Sequence, residues 1–180
     1  MLEIMELVLP SVEYRESFLE ALKEFATEER RARSAIDGMQ KLYEESLTFG
    51  DFLEKLRRRA EGKHLPEGYV PHTTYWLVEG KIFVGVVDIR HRLTPHLLEI
   101  GGHIGYAILP SKRGKGYGNK MLELALPKAK ELGVTNVRVT CNEDNVASAK
   151  IIEKSGGIFD GAVFSKEENV MKRRYWIYLS

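Results

Sequence analysis

The chain carries a single cysteine, Cys141, among its 180 residues, so no intramolecular disulfide framework can form. No apolar run approaches the roughly 18 residues of a membrane span. The opening Met1-Leu2-Glu3-Ile4-Met5-Glu6 has acids where a secretory leader has bases. A soluble, cytoplasmic chain without a membrane partner is expected. An excess of one charge is missing too: 27 Lys and Arg stand against 26 Asp and Glu, a formal net charge of +1. That balance excludes a nucleic-acid binder working through a broad basic field. Five scattered histidines, with no His-x-x-x-His or paired-cysteine spacing, point to no metal site. Repeats, low-complexity tracts and long Pro/Gly/Ser linkers are absent as well. Residues 1–180 therefore read as one domain, and a hydrophobic fraction of 43% can fill its core.

What is present is a change of character along the chain. Glu6–Leu9 is a short candidate strand stopped by Pro10. From Tyr14 to about Arg31, Phe18, Leu19, Leu22, Phe25 and Ala26 recur at helical spacing. A loop is expected around Ile36-Asp37-Gly38, then a helix over Phe49–Ala60 whose basic run reads as a solvated face. Thr73–Val78 and Ile82–Arg90 form a hairpin around Glu79-Gly80-Lys81. After an irregular stretch through Pro95 come a strand over Gly102–Leu109 and a helix over Gly116–Leu132, with Pro127 marking a bend. Val137–Cys141 is a strand and Asn145–Ser155 a helix; Ile158–Phe164 and Met171–Leu179 make a terminal hairpin. This order implies an α/β chain, a mixed sheet covered by helices.

The chemistry is carried by the run from Ile104 to Lys120, a strand, then the basic turn Lys112-Arg113-Gly114-Lys115-Gly116-Tyr117-Gly118, then a helix. Glycines at alternate positions let the backbone curl around a ligand, and the amides at a helix start favour an anion. Arg113 and Lys115 supply countercharge, which suits a diphosphate. A Walker loop fails because the residue five after Gly114 is Asn119. The dinucleotide pattern G-x-G-x-x-G fails at the same position.

Arg113, Gly116 and Gly118 match the pyrophosphate motif (Gln/Arg)-x-x-Gly-x-(Gly/Ala), and the stretch resembles that of the GNAT N-acetyltransferase superfamily. Downstream, Asn145-Val146-Ala147-Ser148 and Glu153-Lys154-Ser155-Gly156 look like the family's second segment. Gly101-Gly102-His103-Ile104-Gly105-Tyr106 before the motif is closest to a bacterial subgroup. The resemblance covers Thr73 to the terminus well, and Met1–Gly68 only by element order. Taken singly, Gly116 and Gly118 also suit a turn, Asn145 a helix cap and Gly156 a helix end.

The resemblance implies the GNAT fold, a mixed and mostly antiparallel sheet flanked by helices, in which the strands at 102–109 and 137–141 run parallel and splay apart. It implies acetyl-CoA as cosubstrate, its pantetheine arm pairing with the backbone of Ile108 and Leu109. Arg113, Gly114, Lys115, Gly116, Tyr117 and Gly118 would hold the pyrophosphate, and Asn145 and Ser148 would touch the pantetheine or a phosphate. The acceptor would be an amine of a small molecule or a protein; a homodimer stays open. Glu99 and His103, near the start of the strand leading to the motif, are the ionisable residues where family bases lie. His103 as base or substrate ligand competes with a buried, hydrogen-bonded histidine, and Glu99 with a solvated loop acid. Asp88 and His91 are further pocket residues. The family's frequent thiolate acid, a tyrosine, falls on Ile152, which motivates the alternative of a non-catalytic acyl-CoA-binding module. Cys141 reads as a strand filler.

Overall fold

The computed structural model describes residues 4–28 and 35–180. Strand β1 (Met5–Val8) leads through a 3-10 turn (Val12–Tyr14) to helices α1 (Arg15–Ala26), α2 (Ala35–Glu44) and α3 (Phe49–Ala60). The hairpin β2 (His72–Glu79) and β3 (Ile82–Arg90) comes next, then a short helix α4 (Pro95–Glu99) and β4 (Ile104–Ile108). Helix α5 (Tyr117–Glu131), β5 (Asn136–Asn142), α6 (Val146–Lys154), β6 (Ile158–Ser165) and β7 (Val170–Tyr178) complete it. The strands form one sheet in the order β1-β2-β3-β4-β5-β7-β6, antiparallel at every junction except β4 to β5.

Two expectations differ from this. Residues Ile36 to Gly38 lie in α2, not in a loop. Gly38 is a poor helix former, but Ile36, Met39 and Leu42 fall on one face and are buried, and that burial overrides the local preference. The stretch through Pro95 contains α4, with Thr94 Oγ1 accepting from Leu97 N at 3.2 Å and Pro95 in the first turn, where its missing amide costs nothing. Pro127 sits inside α5, which continues through it to Glu131. The expected end of the first helix near Arg31 lies outside the described residues.

Alternation sorts the strand side chains onto two cores. On one face Leu77, Val87, Ile89, Ile104, Ile108, Val137 and Val139 pack with Met121, Leu122 and Ala125 of α5 and with Ala149 and Ile152 of α6. On the other, Trp76, Val78, Phe83, Val86 and Ala107 pack with the helices α1–α3. Phe18 is the centre of that second core: it stacks on Trp76 with centroids 4.6 Å apart and on Phe52 at 5.5 Å. The start of α3 is set locally, with Thr48 Oγ1 accepting from Asp51 N and Asp51 Oδ2 from Leu47 N, both at 3.0 Å.

Candidate active site

Between the parallel neighbours β4 and β5 there is one parallel register pair, Ile104 with Val139. Beyond it the two strands part. Among the described residues, the edge of β4 from Gly105 to Ile108 has no strand partner on its β5 side, so its peptide groups can pair with an amide-rich chain laid into the gap.

The basic turn follows at once. Gly114 (φ 72°) and Gly116 (φ 87°) adopt the left-handed conformation that favours glycine, and a Cβ at either would meet nothing within 4 Å. The space before the turn is open. Gly116 is the N-cap of α5, and the first backbone amide of the helix to return to it is that of Lys120, at 3.1 Å. The amides of Tyr117, Gly118 and Asn119 are therefore the orphan donors of a helix start, where anions are favoured. Gly118 has a second task. A Cβ there would lie 2.7 Å from Ile151 Cδ1, so its bareness lets α5 and α6 approach.

The side chains named from the sequence are placed as follows. Arg113 donates Nε to the Ile108 carbonyl at 3.0 Å and Nη2 to Glu28 Oε2 at 3.0 Å, with Nη1 on the other Glu28 oxygen. The Ile108 carbonyl, expected to receive an incoming amide, is thus held by Arg113. Leu109 donates its amide to the Val84 carbonyl at 2.8 Å. Lys115 Nζ reaches the Ser111 carbonyl at 3.0 Å. The Tyr117 ring is buried and its hydroxyl lies 2.9 and 2.8 Å from the two Glu79 oxygens, while Lys112 Nζ is 3.1 Å from Oε2. These bonds from Tyr117 and Lys112 hold the Glu79 carboxyl below its ordinary range. Tyr117 thus contributes its backbone amide to the open turn and its side chain to Glu79. Neither Glu79 nor Glu28 carries a motif, and only the fold brings them here.

On the opposite wall, Asn145 Oδ1 accepts from Ser148 N at 3.0 Å and caps α6. Ser148 Oγ and Tyr106 Oη are 3.0 Å apart, linking α6 to the parted edge of β4. Burial raises the Tyr106 hydroxyl above its usual pKa. Nearby Cys141 is buried, and burial pushes its thiol up to about 11, the range of an inert core residue. Ile152 is sealed in the core with no surface exposed.

The two base candidates have partners of their own. His103 is buried between β4 and β5: its Nδ1 accepts from Arg138 N at 2.9 Å, and its own amide donates to the Arg138 carbonyl at 2.7 Å. Burial, with the Arg90 charge nearby, brings its pKa down to about 4, so the ring is neutral and carries its proton on Nε2. The Glu99 carboxylate closes α4 and pairs through Oε2 with Arg174 of β7. Asp88, expected from the sequence as a further pocket residue, is a second acid near these candidates. Asp88 of β3 faces Gly105 across the ladder and accepts from Thr74 Oγ1 at 2.5 Å. Among the described residues, no group of three His, Cys, Asp or Glu could hold a metal, and no helix is long and apolar enough to cross a membrane.

A model of the acetyltransferase (GNAT) domain matches residues 14–158. The chain belongs to the GNAT acetyltransferase family. No curated protein matches its sequence, but solved structures do match its fold. An acetyltransferase of Salmonella typhimurium that modifies the N-terminal serine of a 50S ribosomal subunit protein superposes with a TM-score of 0.65 at 13% identity, covering 98% of this chain and 95% of that one. RimL, a ribosomal alpha-N-protein acetyltransferase in complex with coenzyme A, gives 0.67 at 12% identity, covering 97% and 94%. The microcin self-immunity acetyltransferase MccE, bound to acetyl-CoA and AMP, gives 0.60 at 15% identity, covering 97% and 92%. At these identities the likeness to solved structures is one of fold. The GNAT chain thus has the mixed seven-stranded sheet expected from its sequence.

Proposed function

We propose that this GNAT protein is an acetyl-CoA-dependent N-acetyltransferase that acts on a primary amine of a small molecule or a protein. The observation that carries the reading is the parting of β4 and β5 after Ile104–Val139, with the open turn of Gly114 and Gly116 at the mouth of the gap. The turn fits a diphosphate in shape and charge: two left-handed glycines with nothing before them, the orphan amides of α5, and Arg113 and Lys115 beside them. The pair of coenzyme-bearing neighbours, RimL and MccE, supports the same choice of cosubstrate.

In this reading the cosubstrate supplies an acetyl thioester, and every other task falls to the chain. The amides of Tyr117, Gly118 and Asn119 bind the diphosphate, and Arg113 turns from Glu28 to meet it. The exposed pair with Glu28 is a weak competitor, because such pairs are worth about 1 kcal/mol or less. The free edge of β4 orients the amide-rich arm. A backbone amide at the parted edge polarises the thioester carbonyl. Ser148 and Tyr106 line the α6 side, with the Tyr106 hydroxyl kept protonated by its burial. With Ile152 in the core, that position offers no proton to the departing sulfur, and a thiolate needs little help to leave near neutral pH.

Calorimetric titration with acetyl-CoA tests the reading. The wild-type protein should bind saturably, and Arg113→Glu and Gly116→Glu should each weaken binding by at least about 10-fold, the worth of one or more charge-assisted hydrogen bonds. Gly116→Glu puts an anion into the open space and a side chain on a left-handed residue. Unaltered affinity in both variants overturns the assignment of the turn.

A further inference from the structure

We propose that Asp88 receives the acceptor ammonium and takes its proton, with the acceptor entering over Gly105 from the face covered by α1–α3. The proposal rests on the acetyltransferase reading and adds to it the route and the proton acceptor.

The register places a row of residues across the sheet. Thr74 pairs with Asp88, Asp88 with Gly105, and Thr140 with Arg174; Gly105 is one residue past the Ile104–Val139 closing pair, as Thr140 is. All lie on the face that carries Trp76, Val86 and Ala107, two residues along each strand. There the apolar cover of α1–α3 gives way to polar groups at the level where β4 and β5 begin to separate. The row crosses the apex of the gap.

At that apex the floor is bare. A Cβ on Gly105 would have one neighbour within 4 Å, Arg90 Nη1 at 4.0 Å. Beside the bare floor stands the half-buried Asp88, whose two oxygens differ. Oδ1 is fixed by the Thr74 hydroxyl at 2.5 Å, while Oδ2 has no hydrogen bond or ion pair among the described residues. A carboxylate pinned through one oxygen presents the other in a fixed direction, as acid–base work requires. Arg90, two residues along on the same face, donates Nη1 to the Gly102 carbonyl at 2.9 Å, and its guanidinium stands at the edge of the Gly105 floor within the field of the Asp88 carboxylate. The other candidates are occupied: His103 Nδ1 by the Arg138 amide, and Glu99 by Arg174.

The step balances without a further reactant. The acceptor arrives as an ammonium and gives one proton to Asp88 Oδ2. The freed lone pair forms the C–N bond at the thioester carbonyl carbon, and the C–S bond breaks with its electron pair leaving on sulfur as the thiolate. The nitrogen's surplus proton leaves to solvent or sulfur, and Asp88 gives up its own proton to solvent before the next turnover.

Thiol release from acetyl-CoA over a panel of primary amines in matched pairs tests this. Each pair is an alkylamine, protonated at neutral pH, and its fluorinated analogue, largely unprotonated there; ethylamine and trifluoroethylamine are one such pair. Asp88→Asn should lower kcat/KM for the alkylamines by about 100-fold, within the usual range for a general base, and that for the fluorinated amines by less than about threefold. Acetyl-CoA affinity by calorimetry should be unchanged. Gly105→Ala, for which there is room, should raise KM for the larger amines. An equal loss on both members of each pair, or a selective loss in Glu99→Gln in place of Asp88→Asn, overturns the role of Asp88. If Asp88→Asn does not fold, Gly105→Ala without effect on acceptor KM overturns the route. Wild-type protein that binds acetyl-CoA and releases no thiol with any amine overturns the acetyltransferase reading itself.

Discussion

His103 illustrates how a side chain chosen for its chemistry can be claimed by the fold. Its Nδ1 completes the hydrogen bond of the Arg138 amide, and burial brings its pKa down to about 4. Unfolding returns the imidazole to its ordinary 6.5. Below that pH the unfolded chain therefore takes up a proton that the folded chain refuses. The contribution of this site to stability is full above pH 6.5 and is lost as the pH falls toward 4, by at most about 3 kcal/mol. His91, whose pKa burial also lowers, acts in the same direction. His103→Asn keeps an acceptor near Nδ1 without the titration. Urea midpoints at about pH 7 and pH 5 should differ less in His103→Asn than in the wild type; an equal difference refutes the assignment. At this scale the motif residues were legible in the sequence, because glycine, arginine and a capping Asn act within a few residues of themselves. Glu28, Glu79 and the Thr74–Asp88 pair were not, because their partners lie 14 to 85 residues away.

Elements bring a different constraint. α5 supplies the helix start proposed to bind the diphosphate, and α6 supplies Ser148 opposite the parted edge of β4, so their spacing sets the width of the gap. Gly118 is the contact point, 2.7 Å from Ile151 Cδ1 for any Cβ added. The clashing atom is the end of a flexible side chain, so Gly118→Ala should fold and cost about 1 kcal/mol, at the low end for overpacking. Ile151→Val removes that methyl, and in its background the same change should cost nothing further. A double-mutant cycle of unfolding free energies measures this coupling, and strictly additive values refute the packing role. The elements themselves were largely legible, since periodicity and caps are local. α2 was not, because the pattern of Ile36, Met39 and Leu42 is carried by a helix containing Gly38, and its burial depends on the sheet.

At the scale of the whole molecule, one sheet separates two cores. The aromatic core around Phe18 lies under the face from which the acceptor is proposed to enter, and the aliphatic core under the face that holds α5 and α6. Phe18 is fully buried and touches the rings of Trp76, Phe52, Phe83, Tyr43 and Phe49. Phe18→Ala should cost about 3–5 kcal/mol, as expected for deleting a buried ring. Because both cores share the strands, the loss should appear as one earlier transition in thermal or urea unfolding, followed together by far-UV and near-UV signals. Two separate transitions contradict a single cooperative domain.

The sequence by itself determined the order of the strands and of the helices other than α2 and α4, their amphipathic faces and the two motif segments, because each rests on periodicity, turn geometry or capping over a short span. The tertiary structure decided where β4 and β5 part, which carboxylate holds Arg113, that His103 is bound to β5, and that Asp88 stands over Gly105. Apart from the Glu28–Arg113 pair, which joins the end of α1 to the turn, those are matters of register between strands. A shift of one residue in any of them turns the side chain to the other face of the sheet, and nothing in the local sequence around either partner specifies which register the finished sheet adopts.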